Sequence, residues 1–502
     1  MDPASRQFRP DDKPRFRRAA WLAVVVGGLS VRLAAIGLAP QHGFLYDHVD
    51  YMAWSDWAVE HGPTGLYDFP AHHLVNVRFP ASETSVVTVE PYPAHNRCDY
   101  PPLSGYVFWA QGLAWRVIDR EAQSLPVGPS LGRYAEFRGK LATSRVINTV
   151  KARAVNAAVP ILADFLLAWG VLRLVVALRN GSRPGRPELA AFAITLLAPP
   201  VFLNSSFWTQ MDSCVTCALV WCVYLLVKGR FGWAGVCYGA GLMVKAQAIL
   251  LVPVLVFVFL ARALQRGSSW RQAAPMWKTL ASMVMTVAVI AAPYAVADRD
   301  HAEGGWLRWF ERSYVGPIGK QYPYTTMKAF NIWWLDFLMQ KQAPTALNPA
   351  SPTLGGISKQ TAGQALFAIA VIISAGLCAW RWRWAPEAWT ALAFLVLFGA
   401  FVWPTRVHER YFYYCLPFLI AMAVAYRRWI SVLVAMLLIG TFEVTWFLWL
   451  APSTAAPDAP AQSPNATVWS LLLSLLTLAS FLYAWSSLLT QRQPDVATAK
   501  AT

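Results

Sequence analysis

Charge is scarce in this 502-residue sequence: Asp, Glu, Lys and Arg make up 14% of it, against about 25% in soluble globular domains. A water-exposed surface of ordinary extent is therefore excluded. Also missing is the apolar/polar alternation of a membrane β-barrel, since the apolar runs between residues 19 and 489 are continuous. No single basic patch is interleaved with aromatics, so the net charge of +16 does not mark a nucleic-acid surface. The seven cysteines form no disulfide framework. Cys214, Cys217, Cys222, Cys237, Cys378 and Cys415 lie in or beside apolar runs, where Cys behaves as a small hydrophobe, and Cys98 stands alone in a polar loop. The Cys214/Cys217 pair has no second pair or nearby His to complete a metal or redox site.

What is present is 56% hydrophobic residues, in runs long enough to cross a hydrocarbon layer of about 30 Å. Continuous runs satisfy their backbone in lipid only as helices, so the expected fold is an all-α integral membrane protein, a multi-span bundle. Basic residues cluster between runs, as they do in cytoplasmic loops. A basic N-terminus, residues 1–18 with Arg6, Arg9, Lys13, Arg15, Arg17 and Arg18, precedes the first run, Ala19 to Ala39, which reads as an anchor. Further basic turns carry Arg179, Arg183 and Arg186; Lys228 and Arg230; Arg262, Arg266, Arg271 and Lys278; Arg381 and Arg383; and Arg427 and Arg428.

Placing all of these inside gives about twelve spans. The domains are then a membrane unit over 19–297 that includes a long external loop, 41–153, a second external loop over 298–362, C-terminal helices over 363–489, and a cytoplasmic tail over 490–502. This requires Leu103 to Ile118 to lie in the interface or re-enter, because a crossing there would reverse every later loop. Three Asn-x-Ser/Thr sequons, at Asn180, Asn204 and Asn465, do not settle the compartment.

The same topology gathers the polar motifs on the external face. After the first span come Asp47, Asp50 and Asp56 with Tyr51, Trp54 and Trp57, on a short amphipathic helix. A carboxylate there can take a proton from a sugar hydroxyl, and aromatic faces stack on sugar rings; the aromatics also suit an interfacial belt. Asp99 and Tyr100 precede a Pro101-Pro102 helix start. Trp208, Gln210 and Asp212 sit at a span end, where Asp212 could equally cap the next helix. Lys245 lies between apolar runs, so it is a functional candidate or a snorkelling cation. Arg406, His408, Glu409 and Arg410 put cations outside, against the charge bias, and suggest a bound anion such as a lipid phosphate; Glu409 could instead pair with a neighbouring Arg.

In this order the motifs resemble the GT-C membrane glycosyltransferases that use polyprenyl-phosphate-linked sugars. Within them the chain looks like the dolichyl-phosphate-glucose-dependent glucosyltransferases of lipid-linked oligosaccharide assembly and their bacterial relatives. The resemblance runs over about residues 43 to 417 and rests on Asp47 with Trp54, on Asp99 to Tyr106, on Gln210 to Ser213, on Lys245 with Gln247, on Asn331-Ile332-Trp333, and on Val407 to Arg410 with Leu416-Pro417. It implies an inverting transfer of a hexose, glucose or mannose, to a glycan or lipid-linked acceptor. Asp47 is the implied base, with Asp50 as second choice. Lys245, Arg406, His408 and Arg410 are expected near the donor phosphate, and Asp99, Tyr100, Trp208, Gln210, Asp212, Gln247, Trp333 and Glu409 near a sugar. No cofactor is implied, although a carboxylate pair with phosphate could hold Mg²⁺ or Mn²⁺. The features of the His-Glu-Arg segment point to a bacterial inner membrane with the site outward, the endoplasmic reticulum being the alternative. The rival class is a transporter or flippase of a lipid-linked sugar, which predicts an inverted repeat that the sequence does not display.

Overall fold

The structure, a computed structural model, describes residues 14–70, 73–79, 88–94, 97–119, 141–179, 181, 184–264, 274–302, 304–317, 324–341, 343–353, 355–382, 384–446, 448 and 464–490. Arg6, Arg9, Lys13, Arg183, Arg266, Arg271, Arg383 and Asn180, and the tail beyond 490, lie outside the described residues.

The apolar runs form helices. In chain order these are α1 Pro14–His42, α2 Leu45–His61, α3 Pro102–Ile118, α4 Val150–Leu178, α5 Arg186–Leu197, α6 Pro199–Phe202, α7 Asp212–Val227, α8 Phe231–Val244, α9 Val252–Leu264, α10 Ala274–Ala297, α11 Arg308–Phe310, α12 Ile332–Met339, α13 Lys359–Trp382, α14 Pro386–Val402, α15 Leu416–Ala425, α16 Ile430–Thr445 and α17 Pro464–Thr490. Among the described residues seven are long and apolar enough to cross a membrane, or eight if the pair from Arg186 to Phe207, bent by 47°, is one span. The bend falls at Pro199-Pro200, where proline removes backbone donors. The expected twelve included shorter apolar helices, among them α7, α8 and α14. At 1.5 Å per residue these fall short of about 30 Å unless the turns flanking them extend the crossing.

Packing follows side-chain size. A Cβ on Gly235 of α8 would overlap the Thr279 carbonyl of α10, and one on Gly112 of α3 would overlap the Ser55 carbonyl of α2, so glycine lets each helix pair touch. α10 turns Leu280, Val284, Met285 and Val289 outward, as expected of a helix with one face in lipid. The chain leaves α1 and comes back to the same place: Asn148, just before α4, donates to the Pro40 carbonyl at 3.0 Å, and Arg153 of α4 donates to the Phe44 carbonyl at 3.2 Å. α1 and α4 are thus joined at one end, as they must be if α3 does not cross alone. α3 instead packs on α2, where Arg116 pairs with Asp56 at 2.8 Å and Glu60 at 2.8 Å. Asp56 is therefore engaged in holding two helices together.

The first loop also holds a sheet, which the sequence reading did not anticipate. Strands β1 His73–Phe79, β2 Thr88–Ala94 and β3 Leu141–Ile147 run in the order β2-β1-β3, with β1 antiparallel to β2 and parallel to β3. A second, minimal sheet pairs β4 Thr326–Met327 with β5 Val407–His408. It ties the second long loop to the segment after α14.

Candidate active site

At the end of the bundle where α1 meets α4, a cleft with about 580 Å³ of empty space is lined by several separate segments of the chain. Asp47, Asp50, Tyr51 and Trp54 come from α2, and Asp99, Tyr100 and Pro101 from the chain entering α3. Lys245, Ala246 and Gln247 lie where α8 breaks into the 3₁₀ turn Ala246–Leu251, and Arg410 and Tyr411 lie in the 3₁₀ turn Glu409–Tyr414. Ser313 and Pro317 complete it from the second long loop.

Asp47 is in the first turn of α2, where the helix dipole favours a carboxylate. Its Oδ2 accepts from the Trp208 indole at 2.8 Å and from the Gln210 amide, leaving Oδ1 available. Gln210 is held in turn, its carbonyl accepting from Tyr51 at 2.9 Å, while Tyr51 and Tyr100 share a hydroxyl hydrogen bond of 2.6 Å. Burial, then the nearby Asp47 carboxylate, pushes the Tyr51 phenol well above its ordinary value, so it stays protonated. Tyr51, Trp54 and Tyr100 of the lining form one aromatic cluster with Phe108. Asp50 also lines the cleft, although it is 2% exposed.

Cations line the cleft as well. Lys245 donates to Asp212 at 2.5 Å and stands 5.5 Å from the Tyr100 ring centre. Asp212 is fully buried and also accepts from Tyr414 and, at 3.3 Å, from Asn204. It opens α7 but anchors the cations in preference to capping the helix. The Arg410 guanidinium lies over Trp208, 5.0 Å from its ring centre; NH1 reaches Glu409 at 3.2 Å, and Nε stands 3.7 Å from Asp212. Burial alone would lower the Arg410 pKa, but the carboxylates of Asp47, Glu409 and Asp212 outweigh it and raise it well above its ordinary value. Lys245 keeps donors for an anion, having three N–H groups and using one on Asp212, while Arg410 lies on the cleft lining with its Nε buried toward Asp212.

The structure thus brings Asp47, Asp50, Asp99, Tyr100, Lys245, Gln247 and Arg410 onto the cleft. Trp208, Gln210, Asp212 and Glu409 sit directly behind, holding those groups. His408 is 6% exposed and adjoins Glu409 at 3.8 Å, off the cleft lining; burial, then Arg410, lowers its pKa, which favours the neutral ring. Trp333 and Arg406 are not among the lining residues. Trp333 donates to the Trp403 carbonyl at 2.7 Å, tying the second loop to the end of α14, and Arg406, at φ 63°, reaches Gln360 of α13 at 3.4 Å. Ser313 and Pro317 had no motif to announce them. A signal did exist for Arg32 and Asp164, ionisable residues inside apolar runs. They form a buried pair at 2.7 Å, and Asp164 also accepts from Ser205 at 2.5 Å and from Ser213 at 2.6 Å. Among the described residues, no three His, Cys, Asp or Glu side chains come together as a metal site.

A helical membrane protein with an ionic cleft at a bundle end is the class these elements define. The sequence matches glycosyltransferase family 87 over residues 149–405. The chain belongs to that family. No curated protein matches it. Among solved structures it is similar to the oligosaccharyltransferase of Archaeoglobus fulgidus in the apo form, at 12% identity and a TM-score of 0.43, over 97% of this chain and 58% of that one. It is also similar to ArnT from Cupriavidus metallidurans bound to undecaprenyl phosphate, at 13% identity and a TM-score of 0.40, over 93% of this chain and 77% of that one. This chain thus spans less than two thirds of the archaeal enzyme's length. Likenesses this loose assign no role to any residue.

Proposed function

We propose that the protein is an inverting glycosyltransferase that moves a hexose from a polyprenyl-phosphate-linked donor to a glycan or lipid-linked acceptor. The observation that carries this reading is the meeting of carboxylates, Asp47 foremost with Asp50 and Asp99, and the cations Lys245 and Arg410 on one cleft. Asp47 Oδ1 takes the proton of an acceptor hydroxyl while that oxygen attacks the anomeric carbon. The bond from that carbon to the donor phosphate oxygen breaks on the opposite side, and the lipid phosphate leaves with the bonding pair. Lys245 and Arg410 stabilise the charge that develops there, so the leaving group needs no strong acid. Attack and departure on opposite faces invert the centre. Asp47 is preferred over Asp50 because two N–H donors fix its orientation.

His408 and Glu409 support Arg410 from behind, while Asp99, Tyr100 and Gln247 are placed to meet sugar hydroxyls. The reading locates the protein in a bacterial inner membrane with the cleft outward. Purified protein incubated with polyprenyl-phosphate-glucose and polyprenyl-phosphate-mannose should release polyprenyl phosphate from one of them, with an inverted product anomer. Release from neither supports the transporter instead.

A further inference from the structure

Residues 208 and 210 both donate to one oxygen of Asp47, yet the residue between them is the least suited to its own backbone. Thr209 has φ 66°. A β-branched residue in the left-handed region is a genuine outlier, and such outliers persist only where their surroundings over-determine them. Here the surroundings are visible. The Thr209 hydroxyl donates to the Trp208 carbonyl at 2.5 Å and accepts from the Asn156 side chain at 2.9 Å. The same Asn156 nitrogen lies 3.0 Å from His48 Nδ1. Thr209, Asn156 and His48 are at most 1% exposed, so relaxing Thr209 would strand buried polar groups without water. Glycine would meet the backbone demand at no strain, but it has no hydroxyl to accept from Asn156.

We infer that Asn156 and Thr209 are positioning residues: the Asn156 side-chain amide of α4, bonded at once to the residue after Asp47 and to the residue between its two donors, sets the register between carboxylate and donors. His48 stays neutral in this arrangement, its Nδ1 accepting. Neither Asn156 nor Thr209 lines the cleft, so both act through Trp208, Gln210 and Asp47. The inference rests on the reading of Asp47 as the base.

The test is steady-state transfer by the full-length purified protein, using whichever polyprenyl-phosphate sugar supports turnover. Asn156→Ala and Thr209→Val should each lower kcat by about ten- to a hundredfold, with the donor KM within about twofold because Lys245 and Arg410 are untouched. Thr209→Gly should lose kcat in the same way despite its relaxed backbone. Thr209→Ser, which keeps the hydroxyl, should stay within about threefold of the parent. Should Asn156→Ala fail to fold, the three Thr209 variants carry the test by themselves. Normal kcat in folded Thr209→Val and Thr209→Gly, or a loss in Thr209→Ser equal to theirs, overturns the inference. Asp47→Asn run alongside separates the two claims. If it abolishes transfer while the Thr209 variants are normal, only the positioning role falls; if it transfers normally, the base assignment falls and this inference with it.

Discussion

Two buried ionic clusters are bridged by adjacent residues of the chain and behave as opposites. Arg32 and Asp164 are both fully buried and closed upon themselves: Arg32 spends its donors on Asp164 and on the carbonyls of Gly28 and Leu196, and Asp164 takes Ser205, Ser213 and Tyr413 as further donors. Lys245, Asp212 and Arg410 are also buried, yet the two cations line a cleft, and Lys245 spends one of its three donors on Asp212. Ser213 and Tyr413 touch the first cluster, and their chain neighbours Asp212 and Tyr414 touch the second. The two are therefore joined by single peptide links, one serving as a foundation and the other as a working surface. Burial of charge alone does not distinguish them; what matters is whether the charged group borders a cleft.

The comparison can be broken most directly at the foundation. Asp164→Leu leaves Arg32 buried without its partner and should cost about 3–5 kcal/mol of stability, read as the thermal midpoint in detergent. Arg32→Met combined with Asp164→Leu should recover part of that, since it removes the unpaired charge while Ser205, Ser213 and Tyr413 still lose an acceptor. A double variant no more stable than the single one would remove the distinction drawn here. On the working surface, Arg410→Gln should lower kcat by about 10²–10³ per folded molecule, measured as polyprenyl phosphate released. A pure stability loss with normal turnover would put Arg410 in the same class as Arg32.

A smaller effect tests the polar group behind Asp47. Burial, then Arg153, holds His48 well below its ordinary pKa. Unfolded His takes up a proton near pH 6.5 while the folded ring does not. Stability is thus complete above about pH 6.5 and falls as pH drops below it toward the folded value, by up to about 1.4 kcal/mol per pH unit. Comparing unfolding at pH 7.5 and 5.5 in the parent and in His48→Gln should show this slope flattening in the variant. Smallest of all, Arg406→Gln should change turnover by less than about twofold, because Arg406 does not line the cleft. A large loss of donor affinity would instead return Arg406 to the phosphate.

Much of the architecture was legible because a lipid environment leaves few choices. Composition announced helices, charge placed the turns, and motif order implied a resemblance that agrees with the family the chain belongs to. The sheet in the first loop was not legible, since its strands are short and β3, which pairs with β1, lies beyond α3 in the chain. Asp212 illustrates the limit at the site. At a span end it reads equally well as a cap or a sugar ligand, and only the folded chain shows Lys245, 33 residues away, bound to it.

Sequence by itself determined that the chain lives in a membrane as helices and that its polar motifs share one end, because apolar length and basic turns are properties of the one-dimensional string. Tertiary structure alone decided which charges face a cleft and which are consumed inside. It also decided that Trp208 and Gln210 converge on Asp47 through a strained Thr209. Those facts depend on donor-to-acceptor distances between residues up to about 250 positions apart, and no local pattern encodes them.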